Sequence, residues 1–196
     1  MVRVLYIDCC IRREESRTHK LAEAFLGALQ AEGGYEIERL CLMDEPLVPL
    51  TGGFFAQRER LLAENKRDHA RFRYAWQFSQ ADRVVIAAPF WDLGFPALLK
   101  IYIENVCVDG ITFGVDESGV FGLCAAKRLL FLTTRGGDYA DSSLEMGATY
   151  LEALCDFWGI LRFDAVAANS LDLGLEPVAT ILDRAIEEAK AFAKEF

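Results

Sequence analysis

The sequence predicts an α/β fold: a three-layer sandwich around a five-stranded parallel sheet of order 2-1-3-4-5. Three observations predict it. Residues 84–88, Val-Val-Ile-Ala-Ala, form an unbroken run of small or branched apolar residues, the pattern of an inner parallel strand covered on both faces. Five strand-like segments alternate with segments of helical period, which is the signature of βαβ crossovers. No repeat, low-complexity tract or linker interrupts the 196 residues, so 1–196 reads as one domain. The strand order is the common one for five parallel strands with helices on both faces, and its switch point lies between strands 1 and 3.

Residues 2–8 make the first strand and run into a polar loop, 9–18. Leu21, Ala24, Phe25, Ala28 and Leu29 then recur at three- and four-residue steps, so a helix follows, with Ser16 or Thr18 as its N-cap and Gly33-Gly34 as its stop. Residues 35–40 alternate like an edge strand with one wet face. Pro46, Pro49 and Gly52-Gly53 make 41–55 irregular, and 56–80 is charged and helical, so about 41–80 is expected to be a helical insertion or cover. Pro89 ends the third strand because it has no N–H to give, and Pro96 suits the first turn of a helix reaching Asn105. Turns at Asp109-Gly110 and 117–119 bracket a short β-like segment, 111–115. The fourth strand is 128–134, and a helix is expected over 143–158, closed by Gly159. The fifth strand is 161–168, and Pro177 starts a last helix over 178–194.

Composition narrows the function. The net charge of −9 leaves no basic surplus for phosphate backbones or anionic membrane surfaces, so neither nucleic acid nor membrane is an expected partner. No apolar run approaches the roughly 18 residues of a membrane span. The first residues read as a strand rather than a signal peptide, and the expected location is the cytoplasm. Cysteines stand at 9, 10, 41, 107, 124 and 155 without a C-x-x-C pair, and only His19 and His69 could complete a metal set. Buried reduced thiols and no metal are therefore expected. The run Arg58, Arg60, Lys66, Arg67, Arg71, Arg73 reads first as a solvated helix face with i,i+4 pairs, and alternatively as a patch that steers phosphates. His19 and His69 read as surface histidines rather than general acids.

The chosen topology brings three loops to one rim of the sheet. The first offers Ser16, Arg17 and Thr18 at a helix start, where free N–H groups, hydroxyls and a guanidinium make a phosphate site. The second, 89–95, offers unpaired N–H groups, the flat ring of Trp91 and the carboxylate of Asp92. The third, Thr133-Thr134-Arg135-Gly136-Gly137, lacks side chains at two positions, so its backbone can approach a ligand. Each also reads as ordinary structure: a helix cap, core aromatics, a plain turn. No G-x-G-x-x-G or Walker A pattern supports a dinucleotide or P-loop fold. Together the loops describe a phosphate at the first helix and a planar ring between the other two, the shape of FMN.

The segments Ala87-Ala88-Pro89-Phe90-Trp91-Asp92-Leu93-Gly94-Phe95-Pro96, Gly110-Ile111-Thr112-Phe113 and Thr134-Arg135-Gly136-Gly137 resemble the flavodoxin-like NAD(P)H oxidoreductases, which include FMN-dependent NADH-azoreductases and quinone reductases. The resemblance runs from Val2 to about Asp172. It implies a flavodoxin-like sandwich. It puts the FMN phosphate at Cys9, Ser16, Arg17 and Thr18, and the ring against Pro89, Phe90, Trp91, Asp92 and Leu93. The far side of the ring would meet Thr134, Arg135, Gly136 and Gly137. It further implies NADH or NADPH as co-substrate, a quinone, azo compound or similar small-molecule acceptor, ping-pong turnover at one site, and a homodimer. No catalytic residue is assigned, because position, stacking and N–H donors suffice for hydride transfer. Two departures stand out: Cys9-Cys10 where serines are common, and Asp92 where asparagine is common. An electron-carrier flavodoxin without its own NAD(P)H oxidation, or an α/β module that has lost its cofactor, would share much of this pattern.

Overall fold

In the computed structural model, which describes residues 1–196, β1 (Val2–Asp8) runs between two neighbours. Helix α1 (Arg17–Glu32) leads to β2 (Tyr35–Cys41), then α2 (Gly52–Ala63) and α3 (Arg73–Gln80) lead to β3 (Arg83–Ala87). Helix α4 (Ala97–Val106) precedes the strands β4 (Phe113–Asp116) and β5 (Gly119–Gly122). β6 (Arg128–Thr134), α5 (Met146–Trp158), β7 (Arg162–Ala168) and α6 (Val178–Ala193) complete the chain. The main sheet is parallel throughout, in the order β2-β1-β3-β6-β7. β4 and β5 form a separate antiparallel hairpin, so the fourth and fifth strands of the sheet are β6 and β7.

Strand alternation sorts the core into two layers. Leu5 and Ile7 of β1 point to the face packed by α3, α4 and α5, with Phe78, Tyr102 and Trp158. Val4 and Tyr6 point to the other face, where Leu21, Phe25 and Leu29 of α1 meet Ile181, Ala185 and Ala189 of α6. β6 is buried along its whole length, as an inner parallel strand must be.

Four expectations need correction. The helix expected over 56–80 is two helices and a 3₁₀ turn (Ala70–Phe72); the chain breaks at Asn65, whose φ of +55° leaves the helical region. The segment expected at 111–115 is a strand, but it runs over Phe113–Asp116 and forms one arm of the β4–β5 hairpin. Helix α5 starts at Met146 rather than 143, because the Glu145 side chain caps it by accepting from the Ala148 N–H at 2.9 Å. The basic run is not one solvated face with i,i+4 pairs. Arg67 reaches Asp109 at 3.2 Å and Arg73 reaches Glu45 at 2.6 Å, both distant in sequence, while Arg58 is largely covered.

One glycine pair fixes the hairpin. A Cβ on Gly122 would lie 1.9 Å from the Gly159 nitrogen, so β5 meets the end of α5 backbone to backbone. Gly159 itself has φ +76°, the left-handed C-terminal position that favours glycine. No helix of the chain is long and apolar enough to cross a membrane.

Candidate functional site

The carboxyl ends of β1, β3 and β6 converge on a cavity of about 240 Å³. Arg12, Ser16 and Arg17 line it from the β1–α1 loop, Pro89, Phe90 and Trp91 from the β3–α4 loop, and Thr134, Arg135 and Gly136 from the end of β6. Leu171 and Asp172, after β7, complete the wall. A larger cavity, about 540 Å³, lies beside the first halves of β1 and β2, lined by Arg3, Glu36 and Gln77. It gathers none of the strand-end loops where open α/β sheets hold ligands, so the smaller cavity is the candidate site.

The first loop is built around Asp8. This buried carboxylate accepts from the Cys10 N–H at 2.8 Å and lies 3.1 Å from His19 Nδ1. His19 is therefore not a free surface histidine. Ser16 caps α1, its Oγ accepting from the His19 N–H at 3.3 Å. Arg17 projects across the cavity to Asp172, 2.8 Å from Nη1 to Oδ1. Arg12 has only a loose, exposed partner in Glu15 at 3.8 Å.

Cys9, expected at the phosphate, points into the core beside Leu99 on the opposite face of the sheet. Cys10 is the member of the pair that faces Asp8 and Ser16; strand alternation carries over one residue past β1. Asp8, Cys10 and His19 could present one ligand atom each within 4.8 Å of one another. Burial, then the Asp8 charge, push the Cys10 thiol far above the usual range, and Asp8 and His19 already face one another. No metal site is assigned.

Thr18 is fully buried and does not line the cavity. Its Oγ1 lies 2.7 Å from Thr134 Oγ1, so it ties the first loop to the third.

The second loop folds back on itself. Trp91 and Gly94 exchange both backbone hydrogen bonds, at 3.2 and 2.8 Å, around Asp92 and Leu93, which have φ of +50° and +66°. This is a two-residue hairpin turn with non-glycine residues in left-handed conformations. It lifts Trp91 into solvent, 42% exposed, and carries Asp92 and Leu93 away from the cavity wall. The N–H groups expected to be free at Phe90 and Trp91 are taken, by Thr134 O and Gly94 O.

The third loop is stitched to the segment after β7. Asp172 N–H donates to Gly136 O at 2.9 Å, and Ser170 N–H to Gly137 O at 2.9 Å. A Cβ on Gly136 would lie 2.6 Å from Asp172 Oδ2, so only glycine lets that carboxylate sit there. Gly137 is backed by Tyr139, whose ring packs 4.7 Å from Phe90. Arg135 is 6% exposed, paired to Glu145 at 3.0 Å, and lies 5.5 Å from the Phe90 ring. Burial lowers its pKa, while Glu145 opposes the shift. Its Nε is buried with no partner.

Of the thirteen residues expected here, eight line the cavity; Cys9, Thr18, Asp92, Leu93 and Gly137 do not. Sequence reasoning missed Arg12, Leu171 and Asp172, and Tyr139 and Glu145 behind them. Arg12 sat in a loop already singled out, so its charge was a usable signal. Asp172 had none, because it meets Arg17 across 155 positions.

Fold and cavity together define a doubly wound α/β protein with an arginine-rich slot at the carboxyl edge of its sheet. A family model described as flavodoxin-like fold matches residues 2–193, and the chain belongs to that family. It is 41% identical, over 201 residues and 100% of both chains, to an FMN-dependent NADH:quinone oxidoreductase 2 of Clostridium acetobutylicum. It is 40% identical over 205 residues, again 100% of both chains, to an FMN-dependent NADH:quinone oxidoreductase of Caldicellulosiruptor bescii. The solved structure of an azoreductase from Bacillus anthracis str. Sterne is similar along 100% of each chain, with TM-score 0.88 and 27% identity.

Proposed function

We propose that this chain is an FMN-dependent oxidoreductase that carries reducing equivalents from NADH or NADPH to a quinone, an azo compound or a similar small acceptor. The observation that carries the reading is the cavity itself: Ser16 and Arg17 at a helix start, an exposed Trp91 ring opposite, and a glycine-backed wall at Gly136. Full-length relatives named as FMN-dependent NADH:quinone oxidoreductases support it.

The donor set suits a singly phosphorylated, planar cofactor. Ser16, Arg17 and Arg12 would hold the phosphate, and Trp91, Phe90 and Gly136 would bracket the ring. FMN, when bound, supplies two-electron redox chemistry. The protein's part is placement. Trp91 and Phe90 would hold flat partners face to face, and Arg135, its charge balanced by Glu145, keeps its Nε–H unpaired as a donor. No side chain is needed as acid or base. One face serves donor and acceptor in turn, which gives ping-pong kinetics.

The site works in a homodimer. Trp91 and Leu93 are exposed apolar residues beside Leu144 and Met146, with the Met146 N–H donating to Leu93 O at 3.0 Å, and a second copy would cover this rim. The segment 41–80, expected as a cover, gives no residue to the wall of this cavity within one chain, and the working compartment is the cytoplasm.

An absorbance spectrum before and after anaerobic NADH tests the reading. A flavin band that bleaches with NADH is expected. A band that persists without a separate reductase would mark an electron carrier instead, and a protein that takes up no FMN would end the proposal. Light scattering at micromolar concentration should give a dimer.

A further inference from the structure

Arg71 stands apart from every other arginine of the basic run. Its Nε, Nη1 and Nη2 are all buried, and none has a hydrogen-bond partner. The guanidinium lies flat over the Phe54 ring of α2, 3.5 Å from its centroid, a contact that offsets only part of the cost of desolvating a cation. Arg58 lies near enough to act against it: burial first, then the Arg58 charge, lower the Arg71 pKa. The carboxylate on this side, Glu45, is committed elsewhere, to Arg73 and to the Tyr74 hydroxyl, each at 2.6 Å. The residue as a whole is part-exposed, but a guanidinium with all three nitrogens covered and no protein partner is unusual in a folded chain.

Arg71 faces a cavity of about 320 Å³. Phe54 and Leu47 give it apolar walls, and Gln57, His69 and Asn105 give it polar ones. His69 Nδ1 accepts from the Arg71 N–H at 3.1 Å, which leaves the ring proton on Nε2 as a further donor. Asn105 already donates to Ile101 O at 2.8 Å, leaving its carbonyl oxygen as an acceptor. None of these residues lines the cavity at the carboxyl edge of β1, β3 and β6.

We propose that Arg71, with His69 and Gln57, anchors a second binding site, separate from the flavin slot, that takes a phosphoryl group. The planar fork of the guanidinium suits two phosphoryl oxygens at once, and Phe54 holds it in place before the ligand arrives. The group is either free inorganic phosphate or a phosphate carried by a nucleotide.

The test uses protein saturated with FMN, so that phosphate cannot report on the flavin slot. Inorganic phosphate at about ten times its Kd should raise the melting temperature of the wild type by about 4 °C. Arg71→Leu should abolish that rise with flavin content unchanged, and should itself melt higher without phosphate, since a covered, unpaired guanidinium is gone. ADP-ribose giving a larger, Arg71-dependent rise than phosphate at equal concentration assigns the group to a nucleotide; an equal or smaller rise assigns it to the free anion. The proposal is overturned if phosphate does no more than chloride of equal ionic strength, or if Arg71→Leu keeps the response. It is also overturned if the variant converts dimer to monomer by light scattering while phosphate has no effect, which would give Arg71 to a subunit contact. Failure of the flavin reading would appear separately, as protein without a flavin band, and the comparison of wild type with Arg71→Leu would still be read.

Discussion

Thr18 and Thr134 show how single hydroxyls set the site. Their oxygens meet at 2.7 Å in a buried position, joining the first turn of α1 to the end of β6. Thr18→Val keeps the shape but orphans the Thr134 hydroxyl, and should cost about 1–3 kcal/mol in urea denaturation. Adding Thr134→Val should recover most of that loss, because an apolar pair of the same shape leaves nothing unsatisfied; two additive losses would show that the bridge does not couple the loops. Arg17 and Asp172 form the second residue-scale device. Both side chains are well exposed, at 39% and 64%, so their pair is weak. Asp172→Asn should free Arg17 and tighten FMN binding, by no more than about fivefold, as read from flavin fluorescence quenching. Weaker binding would show that the carboxylate helps to place the ring instead.

At the scale of elements, α5 links the cavity wall to the core. Glu145 caps it and pairs with Arg135, and both side chains are nearly buried, at 10% and 6%. Glu145→Ala removes cap and counter-ion together and should cost about 3–5 kcal/mol in chemical denaturation. Glu145→Gln, which keeps the cap, should cost less; equal losses would assign the whole effect to the helix end. Elements were also what the sequence expressed best. The apolar run of 84–88 and the 3.6-residue steps of α1 are local patterns, and they stand where periodicity puts them. The break inside 56–80 was not legible, since no Pro or Gly marks it and Asn65 alone adopts the left-handed turn. The start of α5 was missed for a related reason: Glu145 serves as a cap in a fold that also pairs it with Arg135, ten positions away in sequence and just past β6. The hairpin turn at Trp91–Gly94 hid behind residues that seldom adopt positive φ.

Across the whole molecule, burial of thiols ties stability to pH. Cys9, Cys124 and Cys155 are each pushed up to about 12, by burial first. An unfolded thiol titrates near about 8.5, so above that pH the unfolded chain gives up protons that the folded chain retains. Stability is therefore fully present below pH of about 8.5 and falls as the pH rises towards 12. The Tyr6 and Tyr102 phenols, raised by burial, act in the same direction. The urea midpoint should drop steadily from pH 8.5 to 11, and Cys155→Ala should flatten that slope; a slope unchanged by the variant would give the effect to other groups. The site as a whole was legible wherever it is made of strand-end loops, because topology alone brings Ser16, Phe90 and Gly136 together. Asp172 and Tyr139 escaped, since nothing local distinguishes a wall residue from a turn residue.

The contact of Gly122 with Gly159 leaves no room for a side chain between hairpin and helix. The base of the hairpin is thereby welded to the far end of the same helix whose opposite end holds Arg135. Only its tip, where Asp116 Oδ1 accepts from the Ser118 N–H at 2.8 Å, is left unclamped. A fluorophore or peptide tag grafted at that tip would ride with the helix as on a rigid lever, and so offers a place from which to watch the cavity wall without touching it.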